Sequence, residues 1–206
     1  MWILPVFAEP DAETVASMIE AARLGALITH GADGLHATHL PFLFEREPMT
    51  LVGHIARANP HRELAGDGEA LVILSGPEAY VSPNWYPSKA VDGRQVPTWN
   101  YEAVHLYGAL VWFDDRDRLL DVVERLSAKH ERGQATPWTV ADAPADYVEK
   151  LLKAIVGVTL TVTRVEAKRK LSQNKPETDR LGVIEGLAMS PDPRDRLVAE
   201  AMKPKR

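Results

Sequence analysis

Ala79-Tyr-Val-Ser-Pro-Asn-Trp-Tyr-Pro-Ser-Lys-Ala-Val-Asp-Gly-Arg-Gln-Val-Pro-Thr-Trp-Asn-Tyr-Glu-Ala-Val-His-Leu-Tyr107 is the stretch on which the reading of this chain turns. It carries Trp85 and Trp99, four tyrosines (Tyr80, Tyr86, Tyr101, Tyr107) and three prolines (Pro83, Pro87, Pro97). Rings in such number are costly to leave in water, because each exposes a large apolar area. The prolines forbid a helix and confine any strand to an edge or an end. The expectation is a rigid, non-helical wall, with flat faces for stacking and Ser82, Asn84, Ser88, Lys89, Thr98 and Asn100 for polar contacts. Such a wall suits a planar ligand or a second subunit. It is also what a loop sealing the end of its own core looks like.

Working outward, Val104 to Phe113 is apolar on both faces around Gly108, which predicts a strand that is central or lies in an interface. Upstream, residues 11–24 have the period of an amphipathic helix, with Val15, Met18, Ile19 and Ala22 on one face and Gly25 as the stop. From Ala26 the period becomes that of strands. Ala26 to His30, a turn at Gly31 to Gly34 and Leu35 to Phe44 predict a hairpin. Met49 to Ala56 predicts a third strand, and Pro60 opens a short helix through Leu64. Ala70 to Leu74 is a wholly apolar strand, with a break at Ser75-Gly-Pro77 before Ala79 to Val81.

Downstream, Asp114 and Asp115 start a helix with Leu119, Val122, Val123 and Leu126 in register. Ala145 to Ala154 is a second helix. In Ile155 to Val165, Val156, Val158, Leu160 and Val162 alternate with threonines, as a strand requires. After Pro176 two short helices follow, the second starting at Ser190-Pro191 with Ser190 as its cap. Six or more strands in short connections, with helices at the ends and between the last strands, give an antiparallel α+β fold. At 206 residues, with no repeat or linker, residues 1–206 read as one domain.

Composition excludes several functions. Apolar content of 45% and charged content of 26% are those of a soluble globule, and no apolar run approaches the roughly 20 residues of a membrane helix. No cysteine is present, which rules out disulfides, thiolate metal sites and cysteine nucleophiles and fits the cytoplasm. A formal charge of −5 argues against a chain that coats itself in nucleic acid. The basic clusters are Arg164 to Lys175 and the end Lys203-Pro-Lys205-Arg206, the latter read as a solvated tail.

Glycine-rich phosphate cradles and G-x-S-x-G elbows are absent. His36-x-x-His39 in a strand puts its rings on opposite faces, so no metal site is expected, and no acid/base pair singles out a catalytic residue. Two segments could hold a ligand. His54-Ile-Ala-Arg57-Ala-Asn59-Pro60-His61 takes a strand end into a helix N-terminus, where free N–H groups and Arg57 could grip a phosphate; an unliganded turn has the same sequence. Lys170-Leu-Ser-Gln-Asn-Lys175 offers amines, amides and a hydroxyl to a ring carbonyl or phosphate, or is a polar loop capping the next helix with Asn174 near the cap.

Assembled, these segments resemble the PaiB family of FMN-binding proteins, described as negative transcriptional regulators in Bacillus-type bacteria. The matching residues are His39-Leu-Pro41, Gly53 to Pro60, Tyr80 to Tyr86, Val96-Pro-Thr-Trp-Asn-Tyr101, Val104-His105, Tyr107-Gly108 and Lys170-Leu-Ser-Gln-Asn174. They run in the same order over nearly the whole chain. The resemblance implies a split β-barrel of the flavin reductase type with peripheral helices and a helical C-terminal tail. It implies a homodimer with FMN at the subunit interface. By analogy Arg57 and Asn59 fall on the phosphate side, with His54, Thr38 and His39 nearby. Trp99, Asn100, Lys170, Ser172, Gln173 and Asn174 meet the ring or close the site. The loop Pro87 to Gln95 is longer than the family's pattern. A regulatory role implies DNA or a regulatory partner, although no helix-turn-helix pattern is present. A flavin-dependent oxidoreductase acting on a small redox substrate is the alternative.

Overall fold

A computed structural model describes residues 1–204; Lys205 and Arg206 of the basic terminal run lie outside the described residues. The strands are β1 (Gly25–Gly31), β2 (Gly34–Leu40), β3 (Leu43–Glu45), β4 (Thr50–Ala56), β5 (Ala70–Val81), β6 (Thr98–Phe113) and β7 (Ile155–Lys170). The helices are α1 (Ala12–Ala21), α2 (His61–Leu64), α3 (Lys89–Asp92), α4 (Arg116–Glu131), α5 (Ala145–Leu152), α6 (Glu177–Ala188) and α7 (Pro193–Met202). One antiparallel seven-stranded sheet has the order β2-β1-β5-β6-β7-β4-β3 and keeps two edges, so the barrel is open rather than closed.

The chain divides into two compact units. The first comprises Met1–Met18, Ser75–Val104 and the chain from Glu166 onward. Its core gathers Ala79, Val81, Tyr86 and Leu171 with Val183 and Leu187 of α6 and Val198, Ala199 and Met202 of α7. The cap of α7 is Asp192, which accepts from Arg194 N at 2.9 Å. The expected cap Ser190 instead donates to Asp195 Oδ2 at 2.6 Å. No side chain caps α6, and Asn174 is exposed.

Two expectations, one within the aromatic stretch and one just before it, change. Pro87 tolerates a helical turn just downstream of it, since only the first residues of a helix can lack their N–H. The single turn α3 results, closed by Gly93 at φ 70°. The break expected at Ser75-Gly76-Pro77 does not occur, because proline's fixed φ is compatible with extended backbone, and β5 runs through it. A Cβ on Gly76 would stand 2.8 Å from Glu102 Cβ, so glycine permits that close approach.

The second unit is Ile19–Leu74 with His105–Val165. Register decides its two faces. Leu27 pairs with Thr38 and Val72, and Gly25 with Leu40 and Leu74, so Leu27, Leu40, Val72 and Leu74 share a buried face. The opposite face carries Ala26, Ile28, Leu35, Ala37, Leu71 and Ile73. Pro41 ends β2 before the expected strand reaches Phe44, because a proline donates nothing to the ladder. Val52 of β4 and Phe113 of β6 pack with Leu119, Val122 and Leu126 of α4 and Leu152 of α5, which seats both helices. Asp115 caps α4 by accepting from Arg118 N at 2.8 Å. Gly108 is obligatory in β6, since a Cβ there would lie 1.9 Å from Thr161 O.

Candidate functional site

The residues singled out by the motifs fall into two groups, one in each unit. In the second unit the β1–β2 register turns Thr29, His36 and Thr38 to the buried face. His61, the first residue of α2, reaches them. Its Nε2 lies 2.9 Å from Thr29 Oγ1 and its Nδ1 2.7 Å from Thr38 Oγ1. Asn59 completes a circuit: its Nδ2 donates to Thr38 Oγ1 at 3.2 Å, and its Oδ1 accepts from His61 N at 3.0 Å. His61 is 2% exposed. Burial, and after it the charge of His36, holds its pKa below the ordinary 6.5, so the neutral ring donates through one nitrogen and accepts through the other. The rings of His36 and Trp112 flank it at 6.1 Å.

Thr38 and Asn59 are thus brought together, whereas His39 faces the opposite side of β2 and is exposed. His54, in β4 opposite Gly157, is half-buried; burial lowers its pKa, and its Nδ1 has no hydrogen-bond partner among the described residues. Arg57 is committed within the chain. It donates to Lys153 O at 2.9 Å and Ile155 O at 2.7 Å and pairs with Asp114 at 2.7 Å. Asp114 also pairs with Arg62 at 2.8 Å. Arg62 first, and then Arg57, hold that carboxyl below the usual carboxylate range. The free N–H groups expected along this segment are not free: Arg57 N, Asn59 N and His61 N donate to Ala154 O, Ala56 O and Asn59 Oδ1. The segment tightens into a turn that consumes its own donors, and α2 is a single turn.

In the first unit Trp99 is 54% exposed and meets Tyr80 edge-on, with centroids 6.0 Å apart. Asn100, one residue on, points the other way and is fully buried. Its Nδ2 donates to Ser172 Oγ at 3.0 Å, and it also contacts Met202 Sδ. Ser172 has φ 63°, the left-handed region that L-residues rarely occupy. Lys170 donates to Thr98 Oγ1 at 2.6 Å and to Trp99 O. Burial, then the charges of Lys168 and Lys175, push its pKa down. Gln173 spends its side chain on Leu171 N and Arg169 O. Asn174 is exposed.

Thr29, His61 and Lys168 are the notable additions. Lys168 is 5% exposed and lies 5.0 Å from the Tyr101 ring. A threonine on the inward face beside Leu27 was the signal for Thr29. For His61 it was a histidine at the first helical position after proline. Among the described residues no group of acids and histidines could hold a metal ion, and no helix is long and apolar enough to cross a membrane.

An open antiparallel sheet of this order places the protein among the flavin-binding split-barrel folds. Two solved structures share the fold with a TM-score of 0.61: the flavocytochrome Anf3 of Azotobacter vinelandii and the FAD and heme binding protein of Mycobacterium smegmatis. The first is 16% identical and covers 85% of this chain and 75% of its own. The second is 15% identical and covers 84% and 78%. Residues 1–164 match the family described as "Putative FMN-binding domain", and the chain belongs to that family. It is 33% identical to the protease synthase and sporulation protein PAI 2 of Bacillus subtilis, over 100% of this chain and 98% of that protein. An uncharacterized protein of Emericella nidulans is 32% identical over 90% of each chain. A flavin is the cofactor that goes with this membership.

Proposed function

We propose that the chain binds FMN as a homodimer and acts in transcriptional control, through a partner rather than by reading DNA itself. The observation that carries the flavin reading is the Thr29–His61–Thr38–Asn59 circuit, because a closed set of neutral hydrogen bonds fixes hydroxyl and amide groups before any ligand arrives. Thr38 and Asn59 would serve the phosphate side, with Arg57 and Arg62 supplying charge next to their counter-ion Asp114. His54 fits the same role, since its buried, unpartnered Nδ1 would gain a partner. His39 lies on the other face and would meet the flavin only from a different direction.

Trp99 and Lys170 would serve the ring: one offers an exposed aromatic face, the other an amine already half desolvated. Asn100, Ser172 and Gln173 would hold the strand and turn that present them, and Asn174 would stand at the rim. Bound FMN supplies one- and two-electron chemistry; the side chains bind it, orient it and limit water. The homodimer is supported by the partly exposed face of β1, β2 and β5, where half-buried Ala26, Ile28, Leu71 and Ile73 adjoin Leu35, 74% exposed, and the exposed His30 and His39. Each unit is assembled from separate stretches of chain, which supports a single folding domain. The net charge of −5 and the absence of cysteine support a cytoplasmic protein that does not coat DNA.

The test is the absorption spectrum of the purified protein with and without added FMN, with its mass in solution and a gel shift in moderate salt. A colourless protein that leaves added FMN fluorescence unchanged rejects the flavin reading. A sequence-specific shift by the pure protein rejects action through a partner. Lys170 favours a second reading, a flavin-dependent oxidoreductase, because its amine, held by Thr98 Oγ1 and Trp99 O next to the exposed Trp99 ring, is a fixed cationic donor that could stabilise negative charge on a reduced ring. Anaerobic mixing with NADH or NADPH decides it, since no bleaching of the flavin band counts against turnover.

A further inference from the structure

Helix α4 carries a feature that the flavin reading does not use. Two cavities, of about 450 Å³ and about 390 Å³, lie against its C-terminal half and share Ala128 and Arg132. The first is basic, with Arg125 and Lys129 beside Arg132 over a floor of Leu43 and Phe44. The second is walled by Trp138, Pro137 and Val140 and also lined by Glu124 and Glu131, the latter accepting from Trp138 N at 3.0 Å, so the positive charge lies on the side of the first cavity. Both have the size of small-molecule pockets.

The charges are unevenly satisfied. Arg125 is paired with Glu45 at 2.9 Å and Asp121 at 3.1 Å. Lys129, half-buried, donates to Phe42 O at 3.2 Å and has no carboxylate in ion-pair contact. Arg132 makes no side-chain hydrogen bond or ion pair among the described residues. Glu20, which lines the basic cavity, is engaged by Arg46 at 3.1 Å. Burial holds the Lys129 ammonium below its ordinary pKa, and Arg132 adds to this against the opposing effect of Glu20. Basic residues in the last turn also complement the helix dipole, but that role needs neither a half-buried lysine nor adjoining cavities.

We propose that these two cavities form one site for an organic anion with an aromatic body. The anionic group would lie between Lys129 and Arg132, and the ring system would lie against Trp138. The site is independent of FMN: all its residues belong to α4 and its C-cap Arg132, the segment 137–141, and the β3 and Glu20 side of the second unit.

The probe is 8-anilinonaphthalene-1-sulfonate, compared with its neutral analogue N-phenyl-1-naphthylamine, titrated by fluorescence into the full chain with and without FMN. Saturable binding of the sulfonate is expected, weakened by salt and unchanged by FMN. Arg132→Ala should weaken the sulfonate about tenfold, the ratio that about 1.4 kcal/mol represents, and leave the neutral dye unchanged. Trp138→Ala should weaken both, and Lys150→Ala neither. Thermal unfolding of each variant separates loss of the site from loss of the fold; should Trp138→Ala unfold, Trp138→Leu replaces it. Equal affinity for the two dyes, or sulfonate binding indifferent to Arg132→Ala, overturns the proposal. So does displacement of the sulfonate by FMN. Failure of FMN to bind leaves this test intact.

Discussion

Replacing His61 with leucine tests whether the polar circuit is built as described. The ring is 2% exposed and Thr29 is 5% exposed, so neither can turn to water when its partner goes. Two neutral hydrogen bonds of ordinary length contribute about 1 kcal/mol each in net terms, but a buried hydroxyl left without a partner costs about 1–3 kcal/mol. Thr29 has no other partner among the described residues, whereas Thr38 keeps the Asn59 amide. His61→Leu should therefore destabilise by about 2–4 kcal/mol, most of it from stranding Thr29. Adding Thr29→Val should cost less than it does alone, giving a coupling of about 1–2 kcal/mol of the kind seen for residues in direct contact. The assay is urea unfolding at pH 7.5 with an unchanged slope, and FMN fluorescence quenching on the folded variants. Thr38→Val should weaken FMN several-fold and Thr29→Val should not. A loss under about 0.5 kcal/mol for His61→Leu, or equal effects of the two threonines on FMN, refutes the reasoning.

Four further outcomes are expected. Gly186→Ala would place a Cβ 2.4 Å from Trp85 Cδ2; overpacking of about 1–3 kcal/mol should outweigh the roughly 1 kcal/mol that alanine gains in a helix. In a Trp85→Ala background the same change should stabilise on thermal unfolding. His54 and His61 both have pKa values lowered by burial, so the unfolded chain binds more protons; stability is full above about 6.5 and falls as pH drops below it, which urea midpoints from pH 8 to 5 will follow. Asn100→Leu should cost about 2 kcal/mol by stranding Ser172, yet leave FMN affinity within about threefold, since a fully buried amide reaches no ligand. His54→Leu removes a buried unsatisfied nitrogen and should stabilise by about 1 kcal/mol while weakening FMN, and unchanged FMN affinity would show that this nitrogen is not part of the site.

The fold was legible wherever a local rule acts. The alternation from Val156 to Val162 placed β7, and the turn at Gly31 to Gly34 set a hairpin whose pairing then fixed both faces. Asp115 was readable as a cap because a cap is a property of four consecutive residues. Misreadings arose where tertiary packing overrode a local signal. Pro77 marks a break in most sequences, but here the strand passes through it; Ser190 looks like a cap, but Asp192 takes that role. The site was half legible. Thr38 and Asn59 could be placed near each other only through the family resemblance, and the histidine that joins Thr29 to Thr38 is 32 residues from one and 23 from the other. Arg57 was legible as a cation but not as one already held by Asp114 and two carbonyls. No spacing rule records which distant acid will reach an arginine.

Each group of residues contains one or two side chains in an unusual state. His54 keeps a buried nitrogen without a partner, Ser172 sits at a positive φ without being glycine, and Lys170 holds its amine where burial and two neighbouring lysines oppose its charge. Each of these carries a cost to the folded state; the bond to Asn100 offsets it for Ser172 and the bonds to Thr98 and Trp99 offset it for Lys170, while no partner among the described residues offsets it for His54. Unmet polar groups are not confined to these segments: Tyr86 Oη and Arg180 Nε are also buried without a partner among the described residues. A ligand that partnered the His54 imidazole would turn that cost into binding, and His54→Leu is the variant that decides whether one does.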